Sequence, residues 1–217
     1  VQGTIEEKLS MLRRVPTEIV GAGRTDTGVN ASFYIAHFDS DTAVDCDQLA
    51  YKLNKVLPAD IAILRIYEVD AAMHARFDAR EREYTYWLTP RKQPMRRFSA
   101  WHYAVDLDVE RMNEAAAKLI EYNDFTSFAK LNSNNKTNIC RVTHAEWTPE
   151  MDGTLRFTIR SDRFLRNMIR AIVGTLVDVG RGRYTVDEFE AIITSKDLSR
   201  SSAGAPACGL FLSDVQY

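Results

Sequence analysis

The stretch LRNMIRAIVGTLVDV (residues 165–179) constrains the fold most strongly, because apolar side chains occupy nearly every side of the helix it would form. A helix of this composition is buried in a core rather than exposed at a surface. We therefore predict a helix over residues 165–179 that ends at Gly180. Arg170 lies inside the apolar run, between Ile169 and Ala171. A buried cation needs a partner, and Asp26 is a candidate for it.

Three arginines, Arg163, Arg166 and Arg170, have the spacing i, i+3 and i+7, so the predicted helix would carry them on one face. This face could simply be a solvated row of cations, or it could bind an anion. The solvated interpretation suits Arg163 and Arg166 better than Arg170.

The predicted elements do not follow a strict β-α-β-α order, which favours an α+β fold with a mainly antiparallel sheet over a doubly wound fold. The elements fall into two halves of similar order, which suggests a pseudo-duplicated arrangement. We predict an N-terminal half (1–90) that carries the loop with Asp26, a connection (91–105) and a C-terminal α/β half (106–217). A capping box at Thr4 predicts the first helix, and further helices are expected at 47–57, at 109–121 and after Thr185. Strands are predicted at 32–38, 61–69, 83–89, 140–148, 154–160 and 209–217.

Composition excludes several classes of protein. Three cysteines lie far apart without a Cys-x-x-Cys pair, and four histidines lack zinc-site spacing. No apolar run approaches the length that spans a bilayer, so no membrane partner is expected. These features predict a reduced, cytoplasmic protein without a metal. The polar tract 130–138 predicts a mobile loop.

Charge is distributed unevenly along a chain whose net charge is −2. Residues 76–97 carry seven basic side chains against three acidic ones, and residues 156–183 carry seven arginines against two aspartates. Residues 39–70 show the reverse, with seven acids and three bases. This segregation indicates either one basic face suited to a polyanion or separate solvated clusters.

The loop GAGRTDTGVNA (residues 21–31) resembles a phosphate-binding loop only superficially. Neither the dinucleotide fingerprint nor the P-loop pattern fits, and Asp26 would repel a phosphate. Asp26 could instead form an Asx-type turn. The alternative is chemical: a carboxylate on a rigid turn, near a cation such as Arg24, can act as a nucleophile or base. That chemistry requires neither a metal nor a redox cofactor.

Two further features have both a structural and a functional interpretation. Tyr84, in the predicted strand EYTYWLT, could fill a core or stack on a base. The polar connection HARFDAR (residues 74–80) includes His74, Arg76 and Arg80, which could bind phosphates or remain solvated.

Taken together, these segments resemble the TruA family of tRNA pseudouridine synthases. GAGRTDTGVNA is similar to the family's catalytic loop, which runs Gly-Arg-Thr-Asp-Ala-Gly-Val-His-Ala. The blocks LNKVLPADIAI, MHARFDAREREYTYWL, NDFTSFAK, FLRNMIRAIVGTLVDVGRG and AGAPACGLFLSDVQY resemble later family blocks in the same order. The resemblance covers nearly the whole chain.

The resemblance implies a cofactor-free isomerase that acts on uridines 38, 39 and 40 in the anticodon stem-loop of tRNA, as a homodimer. It also implies two α/β halves, the N-terminal one catalytic, that share one mainly antiparallel sheet with a central cleft. Asp26 would be the catalytic aspartate, Arg170 its paired arginine and Tyr84 the tyrosine packed on the target base. Arg24 would enter the base stack as the uridine leaves. We also expect Leu210 and Leu212 to line the base pocket. The RNA-binding residues would be Arg24, His74, Arg76, Arg80, Arg163 and Arg166.

The sequence departs from the family pattern at three places. It begins after the family's first strand and Tyr-Asp-Gly…Gly-Trp segment, so we expect that strand to be lacking. Thr27 stands where the family has Ala, and Asn30 where it has His. Two alternatives stay open: an RNA-binding module of the same fold without turnover, and a carboxylate-dependent glycoside hydrolase. The second is weakened because no motif supplies a second acid.

Overall fold

The computed structural model describes residues 1–130 and 136–217. Most of the predicted loop 130–138 therefore lies outside the described residues. The chain divides into two compact units, the first formed by residues 1–23 and 35–79 and the second by residues 24–34 and 80–217. Each unit is compact in its own internal contacts. The separate division into halves, with a connection at 91–105, stays a prediction. In the described residues no helix has the length and apolarity to cross a membrane.

The first unit packs two helices, α1 (Gln2–Arg13) and α2 (Cys46–Val56), beside a short antiparallel pair, β1 (Val20–Gly21) and β3 (Ala36–His37). Leu9, Ile19, Leu49 and Leu53 form its buried cluster. The predicted cap at Thr4 is wrong, because the Ile5 N–H already bonds to the Val1 carbonyl and the helix begins at Gln2. The predicted helix at 47–57 is confirmed within one residue of each end.

Residues 61–69 do not form the predicted strand. The side chain of Asn54 takes the place of a neighbouring strand at Ile63. Its amide donates to the Ile63 carbonyl at 2.8 Å and its oxygen accepts from the Ile63 N–H at 2.8 Å. The segment is satisfied by a helix side chain instead of a ladder, although its hydrophobic residues Ile63 and Ile66 still pack against the cluster.

The predicted strand at 32–38 is also wrong, since within this range only β3 (residues 36–37) is a strand. β2 (Asn30–Ala31) precedes the range and belongs to the second unit, whereas β3 belongs to the first. The N–H groups of Ser32 and Phe33 both bond to the Leu212 carbonyl, which ends the regular pairing of β2.

The second unit is built on a six-stranded sheet. Its order is β2, β8 (Leu210–Gln216), β4 (Glu81–Thr89), β7 (Leu155–Ser161) and β6 (Val142–Pro149), with β5 (Trp101–His102) paired to β4. Among the described residues the three long pairings are antiparallel, and only the two-residue strands β2 and β5 pair in parallel. The predicted α+β class is confirmed.

The described part of the second unit also contains three helices, α3 (Val109–Glu121), α4 (Met168–Gly180) and α5 (Val186–Ser195). α3 packs against β6, and α4 and α5 pack against α3 and each other. α3 begins where Asp108 accepts a bond from the Arg111 N–H, and α5 begins at a capping box of Thr185 and Glu188, both as predicted. Every residue of α4 except Arg170 is buried. The apolar run therefore has the cover that its composition predicted.

α4 begins three residues later than predicted, at Met168. Asn167 adopts a left-handed conformation with φ 66°, so residues 165–167 are not helical. The Arg166 carbonyl accepts from the Lys130 N–H, and the Leu165 carbonyl from the Met168 N–H. Arg163 and Arg166 therefore precede the helix, and the common helical face predicted for the three arginines does not exist.

Candidate active site

The loop that carries Asp26 is fixed to the last strand. β2 pairs in parallel with β8, with Asn30 opposite Phe211. Gly28 has φ 83°, a left-handed conformation that glycine adopts without strain. A Cβ at this position would also contact the Cβ of Ala207, at 3.4 Å. The Val29 N–H bonds to the Asp26 carbonyl and closes the turn. The Asp26 side chain, 27% exposed, is thus presented from a rigid backbone.

Two guanidinium groups face the Asp26 carboxylate. Arg170 Nη1 lies 3.7 Å from Asp26 Oδ2, the pairing that the position of Arg170 in the apolar run predicted. Arg166 Nε lies 3.5 Å from Asp26 Oδ1, a contact that the sequence did not indicate. The Arg170 side chain is 24% exposed and that of Arg166 is 60% exposed. The carboxylate therefore has one sheltered and one solvated cationic partner.

Arg170 is oriented by the segment that precedes β8. Its Nε donates to the Ala205 carbonyl at 2.6 Å, and its own carbonyl accepts from the Ala205 N–H at 2.9 Å. The adjacent Pro206 carbonyl accepts a bond from the Tyr86 hydroxyl at 2.8 Å. With Nε engaged, the terminal nitrogens of Arg170 are left to face Asp26.

Tyr84 lies on β4 at an irregularity of the sheet. Between Glu83 and Tyr84 the register with β8 shifts, so that Ser213 is an extra residue and Tyr84 stands opposite Leu212. Such bulges re-aim side chains, often beside active sites. The Tyr84 ring meets Phe164 edge to face, with centroids 5.2 Å apart. Burial raises the pKa of Tyr84 to about 12, and the charge of nearby Asp26 adds to this rise. At neutral pH the hydroxyl is therefore protonated.

Leu210 and Leu212, predicted to line a base pocket, are buried on β8. They stand opposite Tyr86 and Tyr84 in the ladder with β4. Leu212 pairs with Ala31 at the end of the Asp26 loop, and the charge of Asp26 acts on Tyr84, whereas Tyr86 is fully buried.

Asn30 is a functional candidate whose role the sequence did not reveal. Its amide nitrogen donates to the Phe98 carbonyl at 3.1 Å and to the Cys208 carbonyl at 2.9 Å. These bonds connect the Asp26 loop to two segments that are distant in sequence. The position was noted only as a departure from the family pattern, and no local signal could have identified its partners.

The remaining predicted residues have different surroundings. In the second unit Arg24 and Arg80 are exposed, and Arg163 is partly buried. His74 and Arg76 belong to the first unit. The His74 ring shapes its own turn, since Nδ1 accepts from the Arg76 and Phe77 N–H groups at 3.1 and 3.2 Å. An acceptor role at Nδ1 places the proton of neutral His74 on Nε2.

A comparison with models of protein families indicates the class of this protein. A family model described as tRNA pseudouridine synthase matches residues 115–217, which include α4, Arg170 and β8. The loop with Asp26 lies outside that match.

Curated relatives extend the similarity over the whole chain, and each is named tRNA pseudouridine synthase A. The protein from Parabacteroides distasonis is 51% identical over 218 residues, covering 100% of this chain and 86% of the relative. The protein from Bacteroides thetaiotaomicron is 50% identical over 220 residues, covering 100% and 81%. The more distant protein from Bacillus subtilis is 37% identical over 223 residues, covering 100% and 89%. The chain belongs to the tRNA pseudouridine synthase A (TruA) family.

Proposed function

We propose that this protein isomerises uridine to pseudouridine in tRNA, with Asp26 as the nucleophile, at positions 38, 39 and 40 of the anticodon stem-loop. The observation that carries the proposal is the carboxylate of Asp26, presented on a rigid turn between Arg166 and Arg170. The names of the relatives support tRNA as the substrate. The stem-loop positions rest on the family resemblance.

The reaction breaks the glycosidic bond between C1′ and N1 and forms a bond between C1′ and C5 of the same base. The proton at C5 is lost to solvent, and N1 gains a proton. Because no atom is added and no electron is transferred overall, the reaction needs neither an oxidant nor a hydrolytic water. A carboxylate that adds covalently to the substrate and then leaves is sufficient to divide the isomerisation into easier steps. The neutral hydroxyl and apolar ring of Tyr84 suit contact with an uncharged base.

A base inside a stacked stem cannot reach Asp26, so the target uridine must leave its stack, at a cost of a few kcal/mol. Arg24 is exposed two residues before Asp26. We assign its planar guanidinium to the gap that the base leaves, where it can stack on the neighbours. Arg76, Arg80 and Arg163 are proposed to contact phosphates, and His74 is proposed to contact the RNA beside Arg76. On the basis of the family resemblance, we also propose that the protein acts in the cytoplasm as a homodimer.

Release of tritium from tRNA that carries 5-tritiated uridine tests the proposal directly, because only the C5 proton is lost. Asp26→Asn keeps the side chain's shape and removes the nucleophile. We expect it to lower the release rate by at least about 10³-fold, a loss typical of removing a nucleophile. Exposed Asp39→Asn, the matched control, should release tritium at the wild-type rate.

The outcomes separate the alternatives. Wild-type protein that binds tRNA but releases no tritium would be an RNA-binding module without turnover. Equal release by wild type and Asp26→Asn would exclude Asp26 as the nucleophile. Free uracil among the products would indicate hydrolysis, as expected of a glycoside-type hydrolase.

A further inference from the structure

A cavity of about 390 Å³ lies beside β5, in the second unit. Its described lining residues include three cationic side chains and no acidic one, although the whole chain has a net charge of −2. The lining side chains that matter below are Lys92, Arg96, Arg97, Trp101 and Cys208. A cavity with this balance attracts anions.

The cations of the cavity are not equally available. Arg96 lies 3.5 Å from Asp152 and over the ring of Trp87 at 5.6 Å, so its charge is already balanced. Lys92 and Arg97 pair with no carboxylate among residues 1–130 and 136–217. Arg97 is held in place, because its carbon Cζ lies 4.4 Å above the Phe98 ring and its Nη1 donates to the Pro94 carbonyl. Two cations that line one cavity without a carboxylate partner among the described residues favour an anionic ligand.

Aromatic surface accompanies these cations. Phe98 is 70% exposed beneath Arg97, and Trp101 forms part of the cavity wall. Cationic side chains interleaved with accessible aromatic rings are typical of nucleic-acid sites, where the cations meet phosphates and the rings meet bases or sugars. A small inorganic anion would use the cations alone.

The cavity is also bonded to the loop that carries Asp26. Asn30 donates to the Phe98 carbonyl on one side and to the Cys208 carbonyl on the other. Cys208 lines the cavity, and Phe98 directly follows Arg97. A ligand held here is therefore placed at a fixed position relative to Asp26.

We propose that this cavity binds a backbone phosphate of the tRNA at a nucleotide other than the reacting uridine. The inference rests on the proposed function, since it takes its ligand from that substrate. Lys92 and Arg97 supply the charge, and Phe98 supplies the stacking surface. The site sets the register of the RNA along the protein rather than taking part in bond making.

Alkylation of Cys208 reports on the cavity locally. The thiol is partly buried, with its S–H directed at the Ala100 carbonyl at 3.7 Å. Iodoacetamide labelling, followed peptide by peptide by mass spectrometry, is measured with and without tRNA. At free tRNA about ten times its Kd, we expect labelling of Cys208 to slow by about tenfold, in line with occupancy. Cys46 in the first unit serves as the internal reference.

The variant Lys92→Gln with Arg97→Gln tests the residues. At saturating tRNA it should leave Cys208 unprotected, and it should reduce the slope of log affinity against log salt by about one, the contribution of one phosphate contact. Lys52→Gln with Arg65→Gln, which removes the same charge from the first unit, should preserve both. The proposal is overturned if tRNA does not protect Cys208, if the cavity variant keeps protection and slope, or if inorganic phosphate alone protects as well as tRNA.

The labelling is repeated in Asp26→Asn, so that its result does not depend on turnover. Protection of Cys208 in a wild-type protein that releases no tritium would refute the proposed activity and leave the phosphate site standing. Tritium release without protection of Cys208 would support the proposed activity and refute the phosphate site.

Discussion

The two arginines at Asp26 are held in different ways. Arg170 is sheltered in α4, and its Nε bond to the Ala205 carbonyl fixes the direction of the guanidinium. Arg166 is mostly exposed and has no comparable side-chain bond among the described residues. A preorganised charge in a sheltered site stabilises a transition state much more than a mobile charge in water does.

This difference predicts unequal effects of two matched truncations. Arg170→Ala should slow single-turnover tritium release by about 10²-fold or more, as loss of an oriented donor does. Arg166→Ala should slow it by no more than about fivefold, since exposed ion pairs contribute about 0.2–1 kcal/mol. The affinity for tRNA, measured by filter binding, should change less than the rate for Arg170→Ala. Equal losses of rate in the two variants would contradict this ordering.

Single residues show where sequence reasoning reaches its limit. The pairing of Arg170 with Asp26 was predictable, because a cation in an apolar helix needs an acid and few acids lie in glycine-flanked turns. The contact of Arg166 was not, since it depends on the left-handed conformation of Asn167. The hydrogen bonds of Asn30 could not be predicted either, because its partners lie 68 and 178 residues away in sequence.

At the level of elements, α4 packs directly against the segment that orients Arg170. A Cβ on Gly174 would lie well under 3.0 Å from the Ala203 carbonyl oxygen, so the helix backbone at Gly174 packs directly against the backbone of Ala203. Ser202 also bonds to α4, through its N–H to the Thr175 hydroxyl. The position of residues 202–205, and with it the orientation of Arg170, therefore depends on the absence of a side chain at residue 174.

Gly174→Ala should destabilise the protein, and Gly180→Ala is its matched control in the same helix. At Gly180 the added methyl group would meet the Sδ and Cγ atoms of buried Met112, a side chain that can adjust more easily than backbone. Overpacking at Gly174 should cost about 1–3 kcal/mol, partly offset by about 1 kcal/mol of better helix propensity. In thermal unfolding we expect a drop of several degrees for Gly174→Ala and a smaller drop for Gly180→Ala. Release of tritium by folded Gly174→Ala should also fall.

The opposite ranking of the two melting temperatures would contradict this account. So would a Gly174→Ala protein with full activity, because the shift of residues 203–205 should reach Arg170 through Ala205.

Elements defined by local signals were predictable, and those defined by distant partners were not. α3 and the hairpin of β6 and β7 follow from a helix cap, from apolar periodicity and from Gly153 in its turn at φ 79°. Residues 61–69 have the composition of a strand, yet the amide of Asn54 satisfies the backbone at Ile63. Composition cannot distinguish an extended segment bonded to a helix side chain from a strand bonded to a sheet.

For the whole molecule, the distribution of charge matters more than its sum. Residues 39–70, rich in acids, belong to the first unit, while residues 156–183, rich in arginine, belong entirely to the second. Most of the basic segment 76–97 belongs to the second unit as well. A molecule with net charge −2 can therefore still present a strongly basic surface to a polyanion.

Binding of tRNA should consequently weaken steeply as salt rises, although the protein is acidic overall, with a pI near 6.1. Each phosphate contact contributes about 0.7–0.9 to the slope of log affinity against log salt, because a bound cation releases counterions from the RNA. If Arg76, Arg80 and Arg163 each contact a phosphate, and Lys92 and Arg97 together contact a fourth, the slope should be about −3. Titrations of labelled tRNA at several salt concentrations measure it. Asp26→Asn should have the same slope, since Asp26 contacts no phosphate in the proposed complex. An affinity that stayed constant with salt would show that the basic segments do not bind the RNA backbone, and the interaction would then have to come from the base pocket alone.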